Sequence, residues 1–247
     1  MTAETALLLL AAGLWAGTQN ALAGGGSFVT LPALMLAGLD PRVANLTSTI
    51  ALFPGQVTTG LANRRLIAAV GPVSFAALLA VSLAGGAAGA LLLLATPSDL
   101  FRAMLPWLVL AATLLFARGA FGRPVEAARV RPLHLKAAQA AVSVYGGYFG
   151  GGIGFLMLAL FTLGGAALKA AQANKNALAA AMNLSAAGVF ALSGEAAWAE
   201  ALVLGLGAMA GGWLGAQAIA RVPDRPLRLA VVALGLALFA GLLWRAA

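Results

Sequence analysis

The sequence predicts an all-α polytopic membrane protein built from two inverted repeats. Three observations lead to this prediction. Hydrophobic residues make up 62% of the 247-residue chain, charged residues make up only 9%, and two similar glycine-rich segments recur in its two halves. Soluble domains carry about 25% charged residues. A chain this apolar therefore needs lipid as its solvent.

A series of apolar stretches follows along the chain, and each predicts a helix. A helix needs about 20 residues to cross a bilayer. The second and seventh stretches are too short for a comfortable crossing, so we interpret them as the return arms of broken hairpins. The stretches cover residues 5–23, 27–39, 42–62, 67–95, 100–117, 133–149, 152–166, 168–193, 197–220 and 227–244.

The charged residues lie mainly between these stretches, and they orient the helices through the positive-inside rule. Basic loops are expected in the cytoplasm and acidic turns outside it. This orientation makes the central basic loop cytoplasmic and both termini periplasmic. The residues that set it are Arg64, Arg65, the segment from Arg118 to Lys136, Arg221, Arg225 and Arg228 inside, and Asp99, Glu195 and Glu200 outside.

The same charges divide the chain into a first repeat (1–122), a cytoplasmic basic linker (123–132) and a second repeat (133–247), which together form one transport domain. Each repeat is predicted to be a glycine-broken, re-entrant hairpin followed by three transmembrane helices. The first hairpin enters from outside and the second from inside, so the repeats are inverted. Paired glycine-interrupted segments at corresponding positions indicate a transporter binding site.

Each hairpin is broken by three consecutive glycines, Gly24–Gly26 and Gly150–Gly152. Each glycine costs a helix about 1 kcal/mol relative to alanine. Unwound backbone persists in a membrane only where protein buries it or where it lines a polar cavity. Helices starting at Ser27 and near Ile153 would point their N-termini, and thus free N–H groups, into that cavity, which favours an anion.

The alternative reading of a transmembrane glycine is close helix packing. We assign this role to the glycines that lie outside the two breaks and recur along later helices. These are Gly85, Gly86, Gly89, Gly205, Gly207, Gly211, Gly212 and Gly215.

Both glycine motifs resemble those of a known family, over nearly the whole chain. The first comprises Ala23–Ser27, Pro32, Gly38, Pro41, Ala44, Thr47 and Ser48, and the second comprises Tyr145–Gly154, Lys175 and Asn176. They resemble the sulfite exporter TauE/SafE family, also called toluene sulfonate uptake permeases. The resemblance implies a bacterial inner-membrane transporter of sulfite, organosulfonates or related small sulfur-containing anions. The first of the two family names further implies that it is an exporter. The second motif departs from the first at Leu158, which replaces proline, and at Asn174-Lys175, which replaces Thr-Ser.

Lys175 is the predicted charge partner of the anion. It lies about 9 Å along its helix from Lys169, and its alternative role is to extend back to the membrane surface. Gln56 and Asn183 are repeat mates that either donate to substrate oxygens or bond between helices. The predicted substrate-binding set is Asn20, Gly24, Gly25, Gly26, Ser27, Thr47, Ser48, Gln56, Tyr148, Gly150, Gly151, Gly152, Asn174, Lys175, Asn176 and Asn183.

Some members of this set have ordinary structural alternatives. The hydroxyls of Thr47 and Ser48 can bond back to their own helix. Tyr148 can pack in the core or at an interface instead of lining the substrate path.

Other function classes lose support because their chemistry is absent from the sequence. There is no cysteine and a single histidine, His134, and all acidic residues lie near predicted helix ends. An intramembrane protease, a metal enzyme or a divalent-cation transporter would need such side chains at depth. We therefore predict no catalytic residues, no metal and no cofactor. Charges confined to loops also argue against nucleic-acid binding.

The resulting hypothesis is an anion transporter that works by alternating access, without a buried carboxylate relay. A channel-like or proton-coupled permease for another small organic or inorganic anion is the alternative. The partners are the anion and the lipid bilayer. The oligomeric state stays open, a homodimer included, as do the substrate, the direction of transport and the coupling ion.

Overall fold

A computed structural model of the chain describes residues 1–22, 24–62, 64–121, 130–218 and 224–246. Most of the predicted linker 123–132 lies outside these residues, as do Ala23 and Arg221. The described chain forms α-helices and one short 3-10 helix, Arg64–Leu66. The α-helices are α1 (Ala3–Leu22), α2 (Ser27–Leu36), α3 (Pro41–Ala62), α4 (Phe75–Ala95), α5 (Ser98–Phe121), α6 (Pro132–Tyr148), α7 (Ile153–Leu163), α8 (Leu168–Leu192), α9 (Trp198–Ala218) and α10 (Asp224–Ala246).

The predicted all-α membrane fold is confirmed. Within the described residues, α1, α4 and the Ser98–Arg118 part of α5 are long and apolar enough to cross a membrane. Helices α3, α8 and α9 have 22, 25 and 21 residues and thus comparable length. By contrast, α2 and α7 have 10 and 11 residues. At 1.5 Å per residue each reaches roughly 15 Å, about half of the hydrocarbon core.

The short helices begin at Ser27 and Ile153, where the sequence predicts them to begin. They follow the two glycine breaks, and each is succeeded by a long helix. A 2.5 Å hydrogen bond between the hydroxyls of Thr30 and Ser48 shows that α2 folds back along α3. Helices α1 and α3 therefore run in the same direction and α2 runs in the opposite one. The first break lies inside the bundle.

The helix contacts repeat when α1–α5 are exchanged with α6–α10. Helix α1 packs on α9 as α6 packs on α4, and α3 packs on α9 as α8 packs on α4. The central α3–α8 pair runs antiparallel, because Gln56 bonds Asn183 while Gly60 contacts Asn176 and Ala177. Equivalent helices of inverted repeats are expected to run antiparallel to each other. The placement of the two halves in the membrane stays a prediction.

Glycines allow the two halves to approach at backbone distance. A Cβ atom added to Gly17 of α1 would lie 2.1 Å from the carbonyl oxygen of Ala208 in α9. One added to Gly147 of α6 would lie 2.2 Å from the carbonyl oxygen of Gly86 in α4. Such close seams are typical of membrane helix pairs with small residues.

The packing role predicted for the later glycines is confirmed. Gly85, Gly86 and Gly89 face α6 or α8, Gly207, Gly211 and Gly215 face α1, and Gly205 and Gly212 face α3. Their partners include Gly13, Gly17 and Gly147, for which the sequence predicts no packing role.

A charged cluster ties together one end of the bundle. Arg42 at the start of α3 forms an ion pair with Glu195, which lies between α8 and α9. Arg42 also donates to the carbonyl oxygen of Leu94 at the end of α4, at 3.0 Å. Nearby, Arg102 pairs with Asp40 at 2.7 Å. The cluster thus joins the two repeats at the end that the sequence predicts to be periplasmic.

We expect Glu195→Gln to lower the melting temperature in detergent, because the exchange removes a charge-assisted hydrogen bond between the repeats. Such bonds contribute about 1.5–3 kcal/mol, and the 35% exposure of the Glu195 side chain favours the lower end of that range. Glu200→Gln is the matched control, since Glu200 forms no ion pair among the described residues. Equal losses in both variants would contradict the assigned role of the pair.

Candidate functional site

A cavity of about 70 Å³ lies between the two glycine breaks. Both repeats contribute to it through the breaks and through the inner faces of α3 and α8. The lining residues are Asn20, Gly24, Gly25, Ser27, Thr49, Leu52, Gln56, Phe116, Gly150, Gly152, Ile153, Gly154, Phe155, Lys175, Asn176, Ala179 and Asn183.

The first break turns through two glycines with left-handed backbone angles, Gly24 at φ 83° and Gly25 at φ 82°. Glycine adopts these angles without the steric cost that a side chain would bring. Gly26 then caps α2 without a side-chain hydrogen bond, and the N–H groups of Phe28 and Val29 bond the carbonyl oxygens of Gly25 and Gly26, both at 3.0 Å. The N-terminal end of α2, with Ser27 at its start, lies beside the cavity, and the positive end of its helix dipole therefore lies there too.

The second break also turns through two glycines with left-handed backbone angles, at its first and third positions. Gly150 and Gly152 have φ angles of 80° and 73°, and Gly152 caps α7, again without a side-chain hydrogen bond. The two breaks are neighbours, because a Cβ atom added to Gly150 would lie 3.9 Å from Oγ of Ser27. Two uncapped helix N-termini thus meet at one cavity.

Lys175 is the single charged residue among the described residues that line the cavity. Its side chain lies along the start of α7, where a Cβ atom added to Gly154 would be 3.9 Å from Nζ. Within the described residues, Lys175 makes no hydrogen bond and no ion pair. Its ammonium is therefore available to an anion that enters between the breaks.

Amide and hydroxyl groups surround the ammonium. Asn183 of α8 donates to the side-chain oxygen of Gln56 in α3, so these repeat mates bond to each other across the two halves. Asn20, Ser27 and Asn176 add further donors at the cavity wall. The wall is thus rich in hydrogen-bond donors, and no carboxylate lies among its described residues.

The structure brings most of the predicted set to this cavity. The members that line it are Asn20, Gly24, Gly25, Ser27, Gln56, Gly150, Gly152, Lys175, Asn176 and Asn183. Their role in substrate binding stays a prediction. The remaining members, Gly26, Thr47, Ser48, Tyr148, Gly151 and Asn174, do not line it.

The side chains outside the cavity have other partners. Thr47 accepts a hydrogen bond from the backbone N–H of Ala197, at 3.2 Å, and Ser48 bonds Thr30. Asn174 holds the connection between α3 and α4 through two hydrogen bonds to the backbone of Ala68. These contacts explain why the predicted polar side chains do not face the cavity.

The three other members pack against the break or the core. Gly26 lies close to α1, where an added Cβ would be 2.9 Å from the carbonyl oxygen of Ala16. Gly151 packs on Phe149. The ring of Tyr148 makes an edge contact with Phe101, with centroids 5.9 Å apart, which agrees with the alternative core role.

Several lining residues were absent from the predicted set, including Thr49, Leu52 and Ala179. A helical period would have identified them. Thr49 and Leu52 precede Gln56 at helical spacing on α3, and Ala179 lies midway between Lys175 and Asn183 on α8. Phe116 and Phe155, which contact each other at 4.2 Å between centroids, come from other helices and carry no such signal.

Possible metal ligands are sparse in this structure. Within the described ranges, no three His, Asp or Glu side chains are grouped so that they could hold a metal ion together.

Comparison with known proteins places this site in a family context. The model of the family described as Sulfite exporter TauE/SafE matches residues 9–242. The chain is 33% identical to the probable membrane transporter protein ORF9 of Sinorhizobium sp., over 85% of this chain and 81% of that protein. It is 30% identical to the probable membrane transporter protein YfcA of Escherichia coli K12, over 93% and 86%.

A probable membrane transporter protein of Haemophilus influenzae is 31% identical, over 86% of this chain and 84% of that protein. No solved structure matches the chain.

Proposed function

The chain belongs to the sulfite exporter TauE/SafE family and is a multi-pass membrane transporter, and from this premise we propose that it carries sulfite or a related small sulfur-containing anion through the cavity between the glycine breaks. The observation that carries the proposal is the ammonium of Lys175, which has no partner among the described residues and lies beside two helix N-termini without side-chain caps. Each helix N-terminus contributes roughly half a positive charge. Together they favour an anion.

The size of the cavity supports a small substrate. Its volume of about 70 Å³ has room for several water molecules and thus for a compact oxyanion. Sites for drug-sized ligands occupy roughly 300–1,000 Å³. Sulfite and the smallest sulfonates suit this space, whereas an aromatic sulfonate requires the two hairpins to separate further.

The proposed mechanism is alternating access. The two hairpins enter the bundle from opposite directions, and their breaks meet beside α3 and α8. Movement of one hairpin relative to this pair would open the cavity to one side, and movement of the other hairpin would open it to the opposite side. The substrate gradient and the membrane potential drive export, since an inside-negative potential favours anion efflux by about 2.3 kcal/mol per charge per 100 mV.

Flux through proteoliposomes tests this proposal. We expect saturable transport of radiolabelled sulfite, competition by other small sulfur oxyanions, and faster transport when a potential draws the anion across. Protein-free liposomes give the background. Failure of every sulfur anion in the panel to compete or to be carried would overturn the anion assignment.

Two further measurements separate the alternatives. A carrier that works by alternating access is accelerated by unlabelled substrate on the opposite side, whereas a channel-like permease is not.

Methanesulfonate keeps a single negative charge over the usual pH range, so its flux reports proton coupling without a change in substrate ionisation. We expect no effect of a pH gradient on methanesulfonate flux, because no carboxylate lines the described cavity. A strong effect would favour the proton-coupled permease.

A further inference from the structure

In or just before each glycine break, a backbone carbonyl accepts a hydrogen bond from a buried side-chain amide. Gln19 donates from Nε2 to the carbonyl oxygen of Gly25, at 3.0 Å. Asn45 donates from Nδ2 to the carbonyl oxygen of Tyr148, at 2.9 Å. Gln19 and Asn45 are only 3% and 2% exposed, and neither lines the cavity.

The carbonyl oxygen of Gly25 also accepts the backbone N–H of Phe28, at 3.0 Å. The carbonyl oxygen of Tyr148 needs a donor because its helix no longer supplies one. Helix α6 ends at Tyr148, so the N–H that would bond its carbonyl in a continuing helix is turned away. Lipid offers no donor at this depth. A side-chain amide is a suitable replacement, since its NH₂ group donates two hydrogen bonds. Each amide therefore fixes the peptide plane at one edge of a break.

The two breaks are held differently. Gln19 belongs to α1, so the first break is held within its own hairpin, and Trp15 in turn donates to the side-chain oxygen of Gln19 at 3.0 Å. Asn45 belongs to α3 of the first repeat, yet it holds the second break. Its own carbonyl accepts a hydrogen bond from Thr49 at 3.2 Å, and Thr49 lines the cavity. Asn45 thus connects the substrate-facing side of α3 to the opposite hairpin.

We propose that Asn45 and Gln19 are positioning residues for the anion site, and that they hold the glycine breaks so that the N-terminal ends of α2 and α7 face the cavity. Asn45 has the larger role, because its bond crosses between the repeats. This inference rests on the proposed function for its ligand, while its geometric part concerns the breaks alone.

The test compares Asn45→Leu and Gln19→Met with Gln139→Met. All three exchanges remove a buried amide donor and keep similar side-chain volume. Gln139 is the matched control, because it bonds Ser82 and Ser143 between α4 and α6 instead of a break. Sulfite affinity is measured by the sulfite-induced rise in melting temperature, and the melting temperature without anion is measured separately.

We expect sulfite to bind about tenfold more weakly to Asn45→Leu and Gln19→Met and with unchanged affinity to Gln139→Met, although all three melt earlier without anion. Unchanged affinity in both break variants, or an equal loss in Gln139→Met, would overturn the inference.

A second readout needs no anion. The chain contains no cysteine, so Ser27→Cys introduces a single thiol beside the second break. We expect Asn45→Leu to raise the rate of iodoacetamide alkylation of this thiol several-fold, and Gln139→Met to leave it unchanged. If the native protein bound no sulfite but the rates changed as expected, the proposed function would fail and the positioning role would stand. If sulfite bound and the rates did not change, the positioning role would fail.

Discussion

Exchange of Lys175 for methionine is expected to weaken sulfite binding by roughly 10- to 100-fold. Charge-assisted hydrogen bonds contribute about 1.5–3 kcal/mol, and 1.4 kcal/mol corresponds to a factor of ten. Methionine keeps most of the side-chain length and removes the charge. The measurement is the sulfite concentration that gives half of the maximal rise in melting temperature. Sulfite flux is expected to fall in parallel.

Lys169→Met is the matched control. Lys169 stands on the same helix, is exposed at the start of α8 and does not line the cavity. Loss of its charge is expected to leave sulfite affinity nearly unchanged. Equal weakening by both exchanges would show that general surface charge, instead of a contact with Lys175, attracts the anion.

The second large effect is expected in folding. Gly17→Ala should destabilise the protein by about 1–3 kcal/mol or more, because overpacked cores lose stability in this range. The added Cβ would lie 2.1 Å from the carbonyl oxygen of Ala208, and α1 would have to move away from α9. Thermal unfolding in detergent and the yield of folded protein measure the effect.

Gly188→Ala is the control for this exchange. Gly188 also lies inside a long helix, α8, but an added Cβ would meet no atom within 4 Å. We expect its melting temperature to be unchanged or slightly raised, since alanine favours helix more than glycine does. A loss as large as that of Gly17→Ala would refute the explanation from close backbone contact.

Much of the fold could be predicted from the sequence, because apolar length and glycine runs act locally. The start of α2 at Ser27 and of α7 at Ile153 follow directly from the position of the breaks. The close packing of α1 on α9 could not be predicted from the sequence. Glycines such as Gly13 and Gly17 indicate that another helix can pack closely against α1, but their pattern does not identify that helix.

The types of residue at the candidate site could be predicted from the sequence, whereas the direction in which each side chain points was harder to predict. Lys175, Asn183 and Gln56 reach the cavity as expected. Asn174, next to Lys175 in sequence, points away from it and bonds Ala68. A helix turns by about 100° per residue, so adjacent polar residues face different neighbours. Only the packing of α8 against its surroundings decides which one faces the cavity.

A difference between the two predicted repeats has a consequence for kinetics under the proposed function. Lys175 aligns with Ser48 in the repeats, and Ser48 bonds Thr30 outside the cavity. If the predicted repeats are related by a twofold axis, the charge lies on one side of it, and the proposed paths of the anion to the two faces of the membrane differ in charge. Apparent affinity and turnover are expected to differ between the two faces of the membrane, while the electrochemical gradient alone sets the direction of net flow.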